Sequence, residues 1–257
     1  MSLPTNVDAV VFDRDGPLVE TGSGLSRAES ARCREHGHEF GDEQKQLLIA
    51  RTLEAGGDAM AEYVGLAGAG PTPAAHLADL VRRELKAGAP ALPGARRIVE
   101  SLIDHGVPVA VASNSPRHFV DAALGSAGLL DLFDVIVSAE DAPRARPSPD
   151  LCLAACRLLD AAPEPSAAFA DSRTGVASAQ AAGMVVVGVP SVPGTVLDVH
   201  ESFAALAGEA LVAWAATCTT RFAMAENIAC SDCGDCRYDL EDIVQDARDS
   251  TLSAHAL

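Results

Sequence analysis

Polar side chains able to perform nucleophilic and acid-base chemistry follow several short apolar runs of this sequence. The first run ends in Phe12-Asp13-Arg14-Asp15-Gly16, the second in Ala112-Ser113-Asn114-Ser115 and the fourth in Ala170-Asp171-Ser172, and the loop after the third carries Arg146-Pro147-Ser148-Pro149-Asp150. If these runs are parallel strands, their carboxyl ends border one crevice, where ligands of open α/β sheets bind. We therefore expect three carboxylates, a hydroxyl and a guanidinium to converge on one rim.

This combination of groups suits phosphoryl transfer. Clustered carboxylates repel one another unless a cation joins them, and Mg²⁺ prefers carboxylate, carbonyl and water oxygens. A carboxylate beside the metal can attack phosphorus to form an aspartyl phosphate, while a nearby cation neutralises charge on the transferring oxygens. A second carboxylate two residues further on can protonate the leaving oxygen and later deprotonate the attacking water. A magnesium site is expected at the rim.

The elements that must position these groups follow a βα pattern, because valine-rich runs alternate with segments of helical periodicity. The predicted strands are Val7–Phe12, Val107–Ala112, Val135–Val137, Ala167–Ala170 and Met184–Val189. The predicted helices between them are Gly94–His105, Pro116–Ala127, Pro149–Leu159 and Arg173–Ala182. The pattern predicts an α/β fold with a doubly wound parallel sheet.

One region interrupts this alternation. Residues 22–91 contain helical stretches at Ser26–His36, Asp42–Glu54 and Pro73–Lys86, separated by Gly- and Pro-rich breaks such as Gly56-Gly57. We predict a helical cap at residues 22–91, inserted into an α/β core of residues 1–21 and 92–200. Residues 201–257 are predicted to form a C-terminal helix and an acidic tail that contains cysteines.

Four segments together resemble the motifs of the haloacid dehalogenase superfamily. VFDRDGPLVET resembles its first motif, VASNSP its second, RPSPD its third and FADSRTGVASAQAAGM its fourth, in the right order. The insertion is similar to the helical cap of the subgroup that holds β-phosphoglucomutase and phosphoglycolate phosphatases. The likeness covers about residues 7 to 190, and four motifs in order are far more specific than one.

The resemblance implies a role for each matching residue. Asp13 would be the nucleophile and a metal ligand, and Asp15 the general acid and base, with its backbone carbonyl on the metal. Ser113 would bind the phosphoryl group, Arg146 would stand where the family has lysine, and Asp171 would be the other metal ligand. The dehalogenases of the superfamily lack the second acid, so Asp15 favours a phosphate ester as substrate. The implied enzyme is a Mg²⁺-dependent phosphatase for a small phosphorylated metabolite, such as a sugar phosphate.

Three positions depart from the family pattern. Arg146 replaces the usual lysine, and a planar guanidinium is not equivalent to an ammonium at a close-packed site. The fourth motif normally supplies a further acid either just before its aspartate or four residues after it, where this chain has Ala170 and Gly175. Loss of such a carboxylate typically costs about 10 to 100-fold in metal affinity or activity. A catalytically weakened protein with a binding or regulatory role is therefore an alternative.

Residues near the cap give further expectations about the substrate. Leu25 stands where β-phosphoglucomutases carry a histidine, which weakens the alternative of a phosphomutase. Arg51 resembles the substrate-facing arginine of the cap and could hold a second anionic group, or it could be a solvated surface charge. Asn114 could bind substrate or complete the turn after its strand.

The C-terminal cysteines form a second pattern. Cys230, Cys233 and Cys236 make a C-x₂-C-x₂-C run, and Cys218 adds a fourth thiol. Four thiols suffice for a Zn²⁺ site or an iron-sulfur cluster. The spacing matches no familiar zinc finger, and we favour an acidic extension whose cysteines bind no metal.

Charge narrows the range of partners. The chain has 36 acidic residues against 19 Lys plus Arg, a formal charge of −17, which disfavours binding to nucleic acid and to anionic membrane surfaces. No apolar run approaches the roughly 20 residues needed to span a bilayer. The N-terminal residues lack the pattern of a signal sequence, so we expect a cytoplasmic protein. The oligomeric state cannot be predicted from these features.

Overall fold

A computed structural model describes residues 3–48, 53–66, 72–191 and 195–220 of the chain, and its centre is a parallel sheet. The six strands are β1 (Val10–Asp13), β2 (Val109–Ala112), β3 (Val135–Val137), β4 (Ala167–Ala170), β5 (Val185–Gly188) and β6 (Glu201–Ser202). Their order across the sheet is β3-β2-β1-β4-β5-β6, and every neighbouring pair is parallel. Strands β2 and β3 lie on one side of β1, and β4, β5 and β6 lie on the other side. The first strand is therefore central in the doubly wound sheet, at the point where the strand order reverses.

Both faces of the sheet are covered. Val10 and Phe12 of β1 belong to one apolar core and Val11 to the other, because alternate side chains of a strand point to opposite faces. Phe12 stacks on Phe169 of β4, with ring centroids 4.9 Å apart. The helices that follow the strands are α5 (Ala95–Asp104), α6 (Arg117–Ser126), α7 (Asp150–Leu158) and α8 (Arg173–Ala181). The predicted α/β fold and its five core strands are confirmed.

The segment between β1 and α5 is helical. It contains α1 (Gly22–Glu35), α2 (Asp42–Leu48), α3 (Leu53–Tyr63) and α4 (Thr72–Ala87). The prediction that Gly56-Gly57 separates two helices is wrong, because both glycines lie inside α3. Glycine costs about 1 kcal/mol in a helix interior. Here α3 packs against α4 and buries Met60 and Val64, which offsets that cost.

Two crossing segments connect the helical insertion to the sheet, and they pair with each other. Val19 forms an antiparallel bridge with Ala91. The backbone amide of Glu20 donates to the carbonyl of Pro90 at 2.9 Å, and that of Leu92 donates to the carbonyl of Leu18 at 2.8 Å. The insertion therefore leaves and rejoins the sheet at one point, close to the end of β1.

The alternation of strands and helices continues beyond residue 200, where the α/β core was predicted to end. The edge strand β6 was not predicted, because it has only two residues and neither is apolar. Helix α9 (Glu209–Ala215) follows, and its Trp214 donates from Nε1 to the carbonyl of Pro4 at 2.8 Å. The amide of Thr219 donates to the carbonyl of Thr5, and Val7 donates to the carbonyl of Thr219. Residues 201–220 are therefore part of the folded core.

None of the helices in the described part of the chain is both long enough and apolar enough to cross a membrane.

Candidate functional site

Asp13 lies at the centre of the rim because it is the last residue of the central strand. Its carboxylate is buried and is ion-paired with Nη1 of Arg146. Nη2 of Arg146 donates to the carbonyl of Ala112 at 2.9 Å, whereas its Nε is buried and has no partner among the described residues. Burial raises the pKa of Asp13, although Arg146 opposes the shift. The structure thus joins the third motif to the first through one ion pair between nearly buried side chains.

Asp15 is held by two residues that the sequence analysis missed. Nε and Nη2 of the buried Arg14 donate to its two carboxylate oxygens at 2.9 and 2.5 Å, and the hydroxyl of Thr21 donates to Oδ1. Burial alone would raise the pKa of Asp15, but the charge and hydrogen bonds of Arg14, with the bond from Thr21, hold it below its usual value. Asp15 is therefore ionised in this arrangement.

Asp171 directly follows β4 and faces Asp13. Burial, followed by the charge of Asp13, raises the pKa of Asp171 to about 7, against a hydrogen bond from Ser191. The Ser191 hydroxyl donates to Oδ2 at 2.7 Å, a contact that no motif indicated because Ser191 lies in the loop after β5. A Cβ at Gly16 would lie 2.2 Å from that of Asp171, and Gly16 has a φ of +83°. Only glycine lets the loop after β1 pass this close to Asp171.

Ser113 and Asn114 follow β2 at the same rim, and both line the cavity described below. Ser113 is buried, and its Oγ accepts a bond from the amide of Ser115 at 3.2 Å. Asn114 uses Oδ1 to accept a bond from the backbone amide of Arg146 at 3.0 Å. Asn114 thus holds the loop that presents Arg146. This positioning contact is a third role, beside the substrate binding and the turn formation considered from the sequence.

The two positions without an acid lie side by side. A Cβ at Gly175 would be 3.3 Å from the Cβ of Ala170 and 3.2 Å from Oδ2 of Asp13. Position 170 ends β4, and position 175 lies one turn into α8. A carboxylate at either position would therefore reach the same point beside Asp13. This gives a geometric reason why the family pattern has a further acid at only one of the two positions.

Asp13 and Asp171 have the chemistry of a divalent cation site. Asp13 is buried and Asp171 is half-buried, the pKa of both is raised, and each would be relieved of repulsion by a bound cation. The carboxylate of Asp15 is turned to Arg14 and Thr21, so only its backbone carbonyl remains available. Across the described ranges, no cluster of three or more acid, histidine or cysteine side chains has a metal-binding arrangement. Two carboxylates with a carbonyl and water still suit Mg²⁺, which commonly keeps several waters.

Other predicted residues lie apart from this site or outside the described ranges. Cys218 is a free thiol buried in the apolar core, and burial raises its pKa to about 12. Arg51 and the cysteines at 230, 233 and 236 fall outside the described residues.

A cavity of about 1000 Å³ opens above the rim, between the sheet and the helical insertion. Its floor includes Asp13, Ser113 and Arg146, and its opposite wall includes Leu25, Glu29 and Lys45. Its size is at the upper end of the range typical of small-molecule sites. The carboxyl ends of the strands and the insertion thus enclose one site.

The chain is similar to known proteins over most of its length. The family model described as haloacid dehalogenase-like hydrolase matches residues 7–183. Validoxylamine A 7'-phosphate phosphatase of Streptomyces hygroscopicus subsp. limoneus is 29% identical over 187 residues, which cover 70% of this chain and 84% of that protein. Protein CbbY of Rhodobacter capsulatus is 32% identical over 196 residues, which cover 71% and 85%. The crystal structure of a hydrolase from Deinococcus radiodurans R1 with bound phosphate and sodium aligns with a TM-score of 0.66 at 25% identity, covering 84% of this chain and 100% of that one.

Proposed function

Because this chain belongs to the haloacid dehalogenase-like hydrolases and has phosphatase relatives, we propose that it hydrolyses a small phosphorylated metabolite through an aspartyl phosphate on Asp13. The observation that carries this proposal is the juxtaposition of Asp13, Arg146 and Asp171 at the floor of the cavity. This juxtaposition supports the proposal because a carboxylate, a guanidinium and a second carboxylate are the groups that such a reaction would need around the phosphoryl group.

In the first step, an oxygen of Asp13 attacks phosphorus, and the bond from phosphorus to the ester oxygen breaks. Arg146 and the hydroxyl of Ser113 stabilise the charge on the transferring oxygens. The leaving oxygen takes a proton from Asp15, which must be protonated at the start of this step and is ionised at its end. The departing alcohol then leaves through the cavity.

In the second step, water attacks the phosphorus of the aspartyl phosphate. Asp15 accepts a proton from this water, and the carboxylate of Asp13 is regenerated as phosphate leaves. The ionised state that Arg14 and Thr21 impose on Asp15 is the one required of a general base.

The cofactor of this proposal is Mg²⁺, held by the carboxylates of Asp13 and Asp171 and the backbone carbonyl of Asp15. When bound, it would neutralise charge on the phosphoryl oxygens and orient them for in-line attack. Leu25, which lines the cavity, has no proton to exchange, and this favours hydrolysis over a phosphomutase cycle.

The test is Mg²⁺-dependent release of phosphate from an aryl phosphate. Wild type should release phosphate and form a species heavier by one phosphoryl group, whereas Asp13→Asn should do neither. Asp131→Asn, at an exposed position far along the chain, is the matched control and should behave as wild type. Equal release by wild type and Asp13→Asn would refute the proposal.

A further inference from the structure

Side chains of α1 and α2 present polar groups to the cavity that the catalytic residues do not use. Ser26 and Glu29 are three residues apart on α1, so they lie on one face of the helix. Both line the cavity, as does Lys45 of α2. This wall lies opposite the sheet, where the leaving group of a phosphate ester would sit.

Two of these groups lack a partner within the described part of the chain. The Oγ of Ser26 is buried and makes no hydrogen bond. Glu29 forms no ion pair or hydrogen bond with a described residue, and Lys45 acts on it only through its charge. Burial raises the pKa of Glu29 to about 7 in spite of that charge. The Oγ of Ser26 is buried and Glu29 is half-buried, and polar groups in such places are normally hydrogen-bonded, so both are available to a bound ligand.

The charges that line the cavity are unevenly distributed. Among its described lining residues are five acidic side chains and three basic ones. Arg14 and Arg146 are already paired with Asp15 and Asp13, which leaves Lys45 as the remaining described cation. Lys45 faces Glu29, and Glu20 adds a further carboxylate that accepts bonds from Ser23.

Because Lys45 already faces Glu29, a second anionic group on the substrate would meet the carboxylates of Glu20 and Glu29 without an unopposed cation among the described lining residues. A hydroxyl can donate to Glu29 and exchange hydrogen bonds with Ser26, and an ammonium can form an ion pair with Glu29. The volume of the cavity also exceeds what a two-carbon leaving group would fill.

We propose that Ser26, Glu29 and Lys45 select phosphate monoesters whose leaving group is a hydroxylated carbon chain without a second anionic group. Glu29 is the specificity-determining residue, and it favours an amino group over a hydroxyl and a hydroxyl over a carboxylate at the far end of the substrate. This assignment rests on the proposed phosphatase activity of the same site.

The experiment uses three six-carbon substrates that differ only at C1: glucitol 6-phosphate, 6-phosphogluconate and 1-amino-1-deoxyglucitol 6-phosphate. Both kcat/KM and the inhibition constant against aryl phosphate hydrolysis are measured with the full chain and Mg²⁺. At pH 8, above the pKa of Glu29, we expect wild type to bind the carboxylate compound about tenfold or more weakly than the hydroxyl compound, because the two negative charges face each other. The amino compound should equal or exceed the hydroxyl compound.

Glu29→Gln should reduce the difference between carboxylate and hydroxyl compounds. Glu62→Gln, on the exposed face of α3, is the matched control and should keep the wild-type ratio. Arg51→Ala tests whether Arg51 is a competing source of selectivity. If wild type prefers the carboxylate compound and Arg51→Ala abolishes that preference, the inference is overturned. An unchanged ratio in Glu29→Gln, or failure of all three compounds to compete, would also overturn it.

Hydrolysis of the aryl phosphate separates this inference from the proposed function. If wild type hydrolyses the aryl phosphate but shows no ranking by charge, only the assignment of Glu29 fails. If wild type and Asp13→Asn are equally inactive on it, the phosphatase proposal itself fails.

Discussion

Arg14 lies between the two acids of the first motif, and its burial makes it part of the site. Its guanidinium fixes both oxygens of Asp15 through two hydrogen bonds, while its Nη1 is buried and bonds to none of the residues that the structure describes. A fork of this kind sets the orientation of a carboxylate as well as its charge. Arg14 is therefore a positioning residue for Asp15, the proposed general acid and base.

Arg14→Leu should lower kcat by about 10 to 100-fold, because a misplaced Asp15 no longer reaches the proton that it must move. Arg14→Lys should recover part of this loss, since it keeps the charge but not the fork. The exposed Arg27, paired with Glu84, provides Arg27→Leu as a control that should leave kcat near the wild-type value. Steady-state kinetics with thermal melts of each variant measure these effects. A wild-type kcat for Arg14→Leu would show that Asp15 is oriented without it.

Gly175 offers a way to test how the missing acid affects metal binding. Gly175→Asp would place a third carboxylate beside Asp13, and we expect Mg²⁺ affinity to rise by about 10 to 100-fold. Titration calorimetry with Mg²⁺ alone measures the effect. Gly125→Asp, at an exposed position of α6, is the control. A large gain in phosphatase activity from a near-zero baseline would favour the alternative of a weakened, regulatory protein, whereas an unchanged Mg²⁺ affinity would contradict the geometric argument.

Among the elements, two glycines differ in whether their position requires glycine. An added Cβ at Gly56, inside α3, meets no described atom within 4 Å, whereas one at Gly94 would lie 2.4 Å from the backbone nitrogen of Ala207. Gly94 also has a φ of +88°, which disfavours other residues.

Gly56→Ala should stabilise the protein by about 0.5–1 kcal/mol, because alanine restricts the unfolded chain and favours the helix. Gly94→Ala should destabilise it by more than about 1 kcal/mol, since its Cβ collides with the backbone before α9. Urea unfolding of the two variants beside wild type gives both values. A loss of stability in the first variant or none in the second would contradict these assignments.

The sequence predicts the elements and site residues that follow from local hydrophobic patterns, but not those that depend on tertiary contacts. Asp13, Ser113 and Asp171 could be found because each follows an apolar strand, and parallel strands bring their carboxyl ends together. The contacts of Arg14 and Thr21 with Asp15 could not be predicted, because they depend on tertiary packing. The sequence places Arg14 beside two acids but does not show that its side chain is buried. The edge strand β6 carries no apolar alternation, and the helix through Gly56 depends on contacts with α4 rather than on propensity.

At the scale of the whole molecule, residues 201–220 complete the fold. Leu206, Leu211 and Trp214 are buried in the same core as β1. A chain that ends at Thr220 should melt near the wild-type temperature, whereas one that ends at Val199 should lose cooperative unfolding, because it loses β6, α9 and these buried side chains. Circular dichroism melts decide this, and an intact transition in the shorter chain would contradict it. Metal analysis of the chain ending at Thr220 beside the full chain also tests the four-cysteine site.

The bridge between Asn6 and Thr219 has a topological consequence. It lies at the amino end of β1, on the edge of the sheet away from Asp13, and it brings together residues more than two hundred positions apart. A short linker could therefore join residue 220 to residue 3, and new termini could be opened at the exposed His105-Gly106 turn. Such a circular permutant would keep every strand in register, so the order of the elements along the chain can be changed without moving Asp13, Ser113 or Asp171 at the ends of their strands.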